Sequence, residues 1–288
     1  MHTRNHPPVR RRMNSIAELG PLPPAGGRGY GGFVERMQIL NPILDPALEE
    51  ILRSQGLARL WAGAAPLPGG RGTARVLTLA GSALVVKRER RGGWAGKVLP
   101  DRYVRRGAFL REWALGCHLA GRGLAPEPAA IEFVGPAAGF QVYALTWAVL
   151  PSRSLAELWK EGDMDGPALA AAGRASARLH REGVLHGDLN AGNILFVEDR
   201  EALFLDLRHS RVLPALLPPR ARRDNLLRLC RSLHKLHTVH GLHWPEAPGK
   251  ALATGYAEGW GSAETWLGDI VLAMDRGFPW YRRLFWSG

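Results

Sequence analysis

His186, Asp188, Asn193 and Asp206 are spaced for phosphoryl transfer. The string His186-x-Asp188-x-x-x-x-Asn193 is followed, 18 residues after Asp188, by Asp206, which closes the apolar run Leu203-Phe204-Leu205. Moving a phosphoryl group asks little of a protein. It needs a carboxylate to take the acceptor hydroxyl's proton and oxygen ligands that hold Mg²⁺ on the phosphates. Asp188 suits the first task, and Asn193 and Asp206 suit the second. Upstream, Ala83-Leu84-Val85-Val86-Lys87 reads as a strand ending in a lysine. Such a lysine contacts the α- and β-phosphates of ATP and is held by a helix glutamate. Glu112 is the candidate for that glutamate. The loop Gly69-Gly70-Arg71-Gly72 precedes the strand. Glycine lets a backbone approach closely, so the N–H groups of Gly70 and Gly72 could cover phosphates.

Each signal alone is weak. A glycine-rich loop is more often a turn, a strand lysine more often a solvated edge residue, and Glu112 could be an exposed helix charge. Their order along the chain, on elements of the right kind, is what gives them weight.

Those elements can be read from periodicity and punctuation. Asp45 as N-cap, Pro46 at the first position and Gly56 past the end bracket a helix over Asp45–Gln55. Val76–Leu79 and Ala83–Val86 flank Gly81-Ser82, which predicts a hairpin with a two-residue turn there. Apolar residues at 109, 110, 113, 117 and 120 give Phe109–Ala120 a helical period, ended by Gly121, Gly123 and Pro126. Ile131–Val134 and Phe140–Leu150 read as strands. Ser154-Leu155-Ala156-Glu157 is a capping box that starts a helix, and Leu169–His180 repeats at helical spacing up to Gly183. Ile194–Val197 and Ala202–Leu205 form a hairpin that would bring Asn193 and Asp206 to one end of paired strands. From Asn225 onward the chain reads as helical. The expected class is therefore α+β: residues 1–34 a basic arm rich in Pro, Gly and Arg, 35–150 a β-rich lobe with one long helix, and 151–288 a helical lobe carrying the catalytic and metal-binding segments.

Composition bounds the function. The 288 residues are 46% hydrophobic and 22% charged, which excludes a mostly disordered chain. Two cysteines, Cys117 and Cys230, cannot build a disulfide framework and fit a reducing compartment. The longest apolar run, Val142–Leu150, has nine residues and is too short to span a membrane. No apolar run follows Arg10–Arg12, so no signal peptide is expected, and Met13 is an alternative start. The formal net charge of +12 predicts an acidic partner. It is concentrated in two windows: Lys87–Arg106 has eight basic against two acidic residues, and Leu207–Lys235 has eight against one. The tail Phe278–Trp286 mixes aromatics with Arg282 and Arg283, a composition suited either to a membrane interface or to core packing. His234, His237, His240 and His243 recur every three residues, but that period spirals around a helix and Gly241 interrupts it, which argues against a metal centre. No nucleic-acid-binding motif appears.

Three stretches resemble the lipopolysaccharide kinases of Gram-negative bacteria, the Kdo/heptose kinase family. They are GRGTARVLTLAGSALVVKRERRGGWAGKVLPDRY, REWALGCHLAGRGLAPEPAAI, and HGDLNAGNIL with FLDLRHSRV and NLLRLCRSLHKL. The resemblance covers about Gly70 to Tyr256. It implies a protein-kinase-like bilobal fold, ATP and Mg²⁺ as cofactors, Asp188 as catalytic base, Asn193 and Asp206 as metal ligands, and Lys87 on the ATP phosphates. It also implies an acceptor hydroxyl, O4 of 3-deoxy-D-manno-octulosonic acid (Kdo), on the anionic glycolipid Kdo-lipid A. The place of work would be the cytoplasmic face of the inner membrane, on an anionic surface, with no nucleic acid and no obligate protein partner. The family's Asp-Phe-Asp is Asp206-Leu207-Arg208 here, and Gly187 stands where many protein kinases have arginine. No Ala-Pro-Glu follows. These departures favour a glycolipid or small-molecule kinase over a regulated protein kinase. A heptose kinase of the same fold and an inactive membrane-bound scaffold are the rival readings. Retention of Lys87, Asp188, Asn193 and Asp206 speaks against the scaffold.

Overall fold

Strands gather in the N-terminal part of the chain and helices in the C-terminal part. The structure is a computed structural model that describes residues 36–67, 73–90, 101–136, 139–197, 201–214, 216–241 and 243–276. The expected basic arm, the Gly70 and Gly72 loop and the aromatic tail from Phe278 lie outside the described residues.

The N-terminal part contains β1 (Arg36–Leu40), α1 (Pro46–Gln55), α2 (Leu57–Gly63), β2 (Ala65–Pro66), β3 (Ala74–Leu79), β4 (Ser82–Arg88), α3 (Gly107–Ala120), β5 (Pro128–Val134) and β6 (Gln141–Trp147). Its strands form one antiparallel sheet in the order β1-β5-β6-β4-β3-β2. The expected α1 is present. Asp45 accepts a hydrogen bond from the Ala47 N–H, Pro46 takes the first turn, and Gly56 ends the helix at φ 75°. The hairpin between β3 and β4 turns one residue earlier than expected. Leu79 pairs with Ser82, so Ala80 and Gly81 make the turn, at φ 47° and 76°. Two positive φ values match the right-handed twist of the strands, and that requirement selects the site of the turn.

The C-terminal part adds β7 (Arg153–Ser154), α4 (Leu155–Lys160), α5 (Gly166–Arg181), β8 (Val184–Leu185), β9 (Ile194–Phe196), β10 (Ala202–Phe204), β11 (Arg211–Val212), α6 (Pro219–His240), α7 (Pro248–Trp260) and α8 (Leu267–Asp275). The capping box forms as expected, Ser154 and Glu157 each satisfying the other's backbone. Helix α6 begins six residues before the expected Asn225, because Pro218 and Pro219 fit a helix start, where no N–H donor is needed. Helices α5 and α7 touch at the backbone: a Cβ on Gly255 would lie 1.9 Å from the Ala170 carbonyl oxygen. The resulting arrangement, an antiparallel sheet followed by a helical part, is the expected α+β class.

Among the described residues, three apolar cores form. One lies under α1 and α2 against Leu84, Val86 and Leu145 of the sheet. A second, built from Phe109, Phe133, Phe140 and Val142, lies between α3 and β5–β6. The largest fills the helical part and also takes in Leu115 and Leu119 of α3. Helix α3 thus touches two cores, one at each end, and Glu112 stands between them. Among the described residues no helix is long and apolar enough to cross a membrane.

Candidate active site

The hairpin β9–β10 does what its sequence predicts. Ile194 pairs with Phe204, and the Leu205 N–H donates to the Asn193 carbonyl at 2.9 Å. Asn193 and the residue preceding Asp206 are therefore direct neighbours. The chain leaves β8 into His186-Gly187-Asp188; one hydrogen bond braces this segment internally and two tie it to the hairpin. The Asp188 N–H donates to His186 Nδ1 at 3.1 Å, which leaves His186 Nε2 to donate to the Leu205 carbonyl at 2.9 Å. Asn193 Nδ2 donates to the Asp188 carbonyl at 2.9 Å. His186 is thus a strut from the segment of the base to the segment of Asp206. Burial, the leading cause, holds its pKa below the usual imidazole value, so the ring stays neutral as this bonding requires.

Gly187 is required by close approach. A Cβ there would lie 2.2 Å from backbone atoms of His209. The segment after Asp206 packs directly on the segment before Asp188, and no side chain fits between them.

Asp188 keeps half of its side chain in solvent. Asn190 Nδ2 donates to its Oδ2 at 2.9 Å, and Arg228 Nη1 stands 3.9 Å from its Oδ1. The carboxylate is half-exposed while the backbone around it is fixed, a combination suited to a general base.

Helix α6 fixes that backbone through one polar stripe. Asn225 accepts from the His186 N–H at 3.2 Å and donates to the His186 carbonyl at 2.8 Å. Arg228 donates to the Gly187 carbonyl at 2.8 Å, and Ser232 Oγ accepts from the Ala191 N–H at 3.1 Å. Positions 225, 228 and 232 follow the i, i+3, i+7 spacing of one helix face. Behind Asn225, His180 Nε2 donates to its Oδ1 at 3.1 Å, and the Tyr256 hydroxyl donates to His180 Nδ1 at 2.8 Å. Burial pushes His180 down to about 4 and Tyr256 up to about 12, so both are neutral. Asn225, Arg228 and Ser232 lie in the stretch NLLRLCRSLHKL that carries the family resemblance, but none of these positions was given a role in the site from the sequence. The signal was there: polar residues at helical spacing on a helix whose neighbouring positions are Leu226, Leu229 and Leu233.

Asp206 has φ +56°, in the left-handed region that few residues other than glycine adopt, and its Oδ1 is buried with no hydrogen-bond partner among the described residues. An uncommon backbone conformation and an orphaned carboxylate oxygen together suit a site that a ligand would complete. A hard divalent cation would suit this chemistry: an oxygen from Asp206 and the amide oxygen of Asn193, whose Nδ2 is already engaged, could supply two ligands. Phosphate oxygens and water complete such a shell for Mg²⁺.

On the sheet side, Lys87 lies on the face of β4 opposite the buried Leu84 and Val86. Its Nζ pairs directly with Glu89 Oε1 at 3.1 Å. Glu112, the expected partner, acts on it only through space. Burial works against the Lys87 charge, but Glu89, Asp206 and Glu112 outweigh it, and its pKa stays above the usual lysine value. Glu112 is pushed up to about 7 by burial first and by the Glu89 charge second. Arg208 Nη1 donates to Glu89 Oε2 at 2.7 Å. Lys87, Glu112 and Asp206 thus share one electrostatic environment, and His186 senses both Asp206 and Asp188.

The two basic windows are not uniform. Arg222 is a core residue: it is buried, pairs with Glu264 at 3.1 Å and lies 3.9 Å over the Trp260 ring. Arg223 pairs with Asp269 at 3.1 Å. Arg211, Arg220 and Arg228 remain exposed. Of the histidine series, His234 and His237 pack their rings against Trp244.

A sequence model of the lipopolysaccharide kinase (Kdo/WaaP) family matches residues 65–256. A 3-deoxy-D-manno-octulosonic acid kinase of Xanthomonas campestris pv. campestris is 33% identical over 216 residues, covering 73% of this chain and 83% of the relative. The enzymes of the same name from Xanthomonas axonopodis pv. citri and Stenotrophomonas maltophilia are 35% and 34% identical, each covering 58% of this chain and 68% of the relative.

Proposed function

Because the chain belongs to the lipopolysaccharide kinase (Kdo/WaaP) family, and is therefore a phosphotransferase, we propose that it moves the γ-phosphoryl group of ATP to O4 of a Kdo residue on Kdo-lipid A. The observation that carries this reading is the tie between Asp188 and Asp206. One neutral histidine ties the Asp188 backbone N–H to the carbonyl of Leu205, the residue before Asp206, whose Oδ1 is buried without a partner among the described residues. A carboxylate for acceptor activation held close in the chain to one for metal binding is what phosphoryl transfer asks for.

Asp188 receives the acceptor hydroxyl's hydrogen at a carboxylate oxygen, with Asn190 holding the carboxylate's orientation. Lys87 meets the α- and β-phosphates from the sheet side. Asn193 and Asp206 hold Mg²⁺, which when bound neutralises charge on the phosphates during transfer. Arg228, half-exposed beside Asp188, is suited to the acceptor's carboxylate, since a guanidinium pairs bidentately with such oxyanions. The chain folds as two lobes meeting near Leu150–Ser154, with this site between them.

The protein works at the cytoplasmic surface of an anionic membrane. Val212 of β11 and Leu216 on the segment leading into α6 are exposed, as are Arg211 of β11 and Arg220 in the first turn of α6. Apolar side chains among cations suit the headgroup boundary of such a membrane. Flotation of the full chain with anionic but not with zwitterionic liposomes is the expected result.

The test of the reaction is mass spectrometry of Kdo-lipid A incubated with the purified protein and Mg-ATP. One added phosphate on Kdo, lost in Asp188→Asn and Asp206→Asn, is expected. Phosphorylation of a heptosylated core with Kdo-lipid A untouched would overturn the acceptor assignment.

A further inference from the structure

Glu89 combines several properties. It follows β4 directly, and its N–H continues the ladder by donating to the Val142 carbonyl at 2.9 Å. In an extended chain residues two apart share a face, so the Lys87 and Glu89 side chains point the same way. Glu89 is 4% exposed. A carboxylate so deeply buried is expensive to keep charged unless it is paired and hydrogen-bonded. Here each oxygen takes a different cation, Lys87 at 3.1 Å on Oε1 and Arg208 at 2.7 Å on Oε2. Arg208 is 119 residues further along the chain and only two residues beyond Asp206. Its guanidinium also lies 5.6 Å over the Phe109 ring of α3.

We infer that Glu89 is a positioning residue for nucleotide binding, holding Lys87 with one oxygen and, through Arg208, docking the Asp206 segment onto the sheet with the other. The inference rests on the phosphotransfer reading. Arg208, which from sequence is the loss of a second acid after Asp206, becomes the link that carries the metal-binding segment to the lysine strand. Both ends of the ATP phosphate chain then depend on one buried carboxylate. Glu112 cannot substitute for it: it makes no direct contact with Lys87, and Phe109, three residues before it on α3, is the face that Arg208 covers.

The test compares Glu89→Gln, Arg208→Gln, Arg208→Lys and Glu112→Gln. Mg-ATP binding is measured by calorimetry, and KM for ATP and for the acceptor are measured separately. Glu89→Gln and Arg208→Gln should each raise the Kd and KM for ATP by about tenfold or more, leaving the acceptor KM within about twofold. The double variant should be no worse than about the poorer single variant, since the two residues act as one unit. Arg208→Lys should recover part of the loss. A merely structural role would move both KM values together. The inference is overturned if Glu112→Gln weakens ATP binding more than Glu89→Gln does, or if the Glu89 and Arg208 effects multiply. Should Glu89→Gln fail to fold, Arg208→Gln, at a less buried position, decides the same question. If the wild type itself binds no Mg-ATP, the phosphotransfer reading fails. If it binds and the ranking is reversed, only the role of Glu89 fails.

Discussion

Around Asp188 the chain is fixed mainly by neutral groups, Arg228 on the Gly187 carbonyl being the exception, and around Lys87 by charged ones. Asn225, His180, Tyr256 and His186 hold the base segment with hydrogen bonds among uncharged, buried side chains. Lys87, Glu89, Glu112, Asp206 and Arg208 form a cluster of opposed charges. The two regions answer different needs. A neutral network has one satisfied arrangement and resists pH and salt, so it suits a base whose position must not vary. A charged cluster stays responsive to what enters it, so it suits the proposed site for a triphosphate and a divalent cation.

The largest expected effect comes from breaking the neutral side. Asn225→Ala removes one side chain that serves the His186 N–H, the His186 carbonyl and His180 Nε2. Each buried polar group left unpaired costs about 1–3 kcal/mol. Chemical denaturation should therefore show a loss of about 3–5 kcal/mol, and kcat should fall at least about a hundredfold as Asp188 loses its fixed backbone. A fall in kcat with unchanged stability would mean that Asn225 acts on the substrate and does not brace the loop.

The second effect uses pH to separate the regions. Glu112 has a folded pKa of about 7, above its ordinary 4.5, so the native state holds a proton that the unfolded state releases. Its contribution is full below about pH 4.5 and is lost as pH rises through 7. His180 is the reverse: its folded pKa of about 4 lies below 6.5, so its contribution is full above pH 6.5 and is lost as pH falls through 4. The two slopes oppose each other between pH 4.5 and 6.5. Glu112→Gln removes one of them. Its melting temperature relative to wild type should rise across pH 4.5 to 7 and then level off, by an amount equivalent to about 2–3 kcal/mol. A difference that does not change with pH would place Glu112 in solvent.

The same contrast explains what could be read in the sequence. The local structure of the Asp188 segment was legible because the residues that suggest its chemistry sit close together on one short stretch. His186, Asp188 and Asn193 lie within eight residues, and a short hairpin carries the chain to Asp206. Helix α1 was legible because Asp45, Pro46 and Gly56 are local signals. Glu89 was not, since its worth depends on Arg208, 119 residues away, and on how the post-Asp206 segment docks on the sheet. Period-2 spacing from Lys87 was a usable clue, but Glu112 fitted a familiar pattern of helix glutamate and strand lysine. Arg222 was counted among the free cations, because nothing local marks a charge that folds into a cage of Trp260 and Glu264.

A third prediction tests where the exposed charges matter. Arg228→Gln keeps a donor for the Gly187 carbonyl but removes the cation near Asp188. The acceptor KM should rise about tenfold, equivalent to about 1.4 kcal/mol, with KM for ATP little changed. If ATP affinity falls instead, Arg228 belongs to the phosphate side and the charged region extends further than the Glu89 cluster.

The last contrast sits in one pair of helices that carries both kinds of contact, and it holds the smallest expected effect, that of the surface pair. Between α5 and α7, His180 accepts from Tyr256 in the buried interior, while Arg174 pairs with Glu258 at 2.9 Å at the surface. The surface pair has about half of each side chain in water, so solvent screens it and side-chain entropy opposes it. Tyr256→Phe deletes only a hydroxyl, yet it strands His180 Nδ1 in the core and should cost about 1–3 kcal/mol. Arg174→Gln deletes a full charge and should stay within about 0.5 kcal/mol of wild type. Denaturation midpoints of the two variants, taken at one salt concentration, decide the order. The reverse order would show that the neutral hydrogen bonds behind Asn225 are dispensable, and that charge at the surface governs how these helices pack.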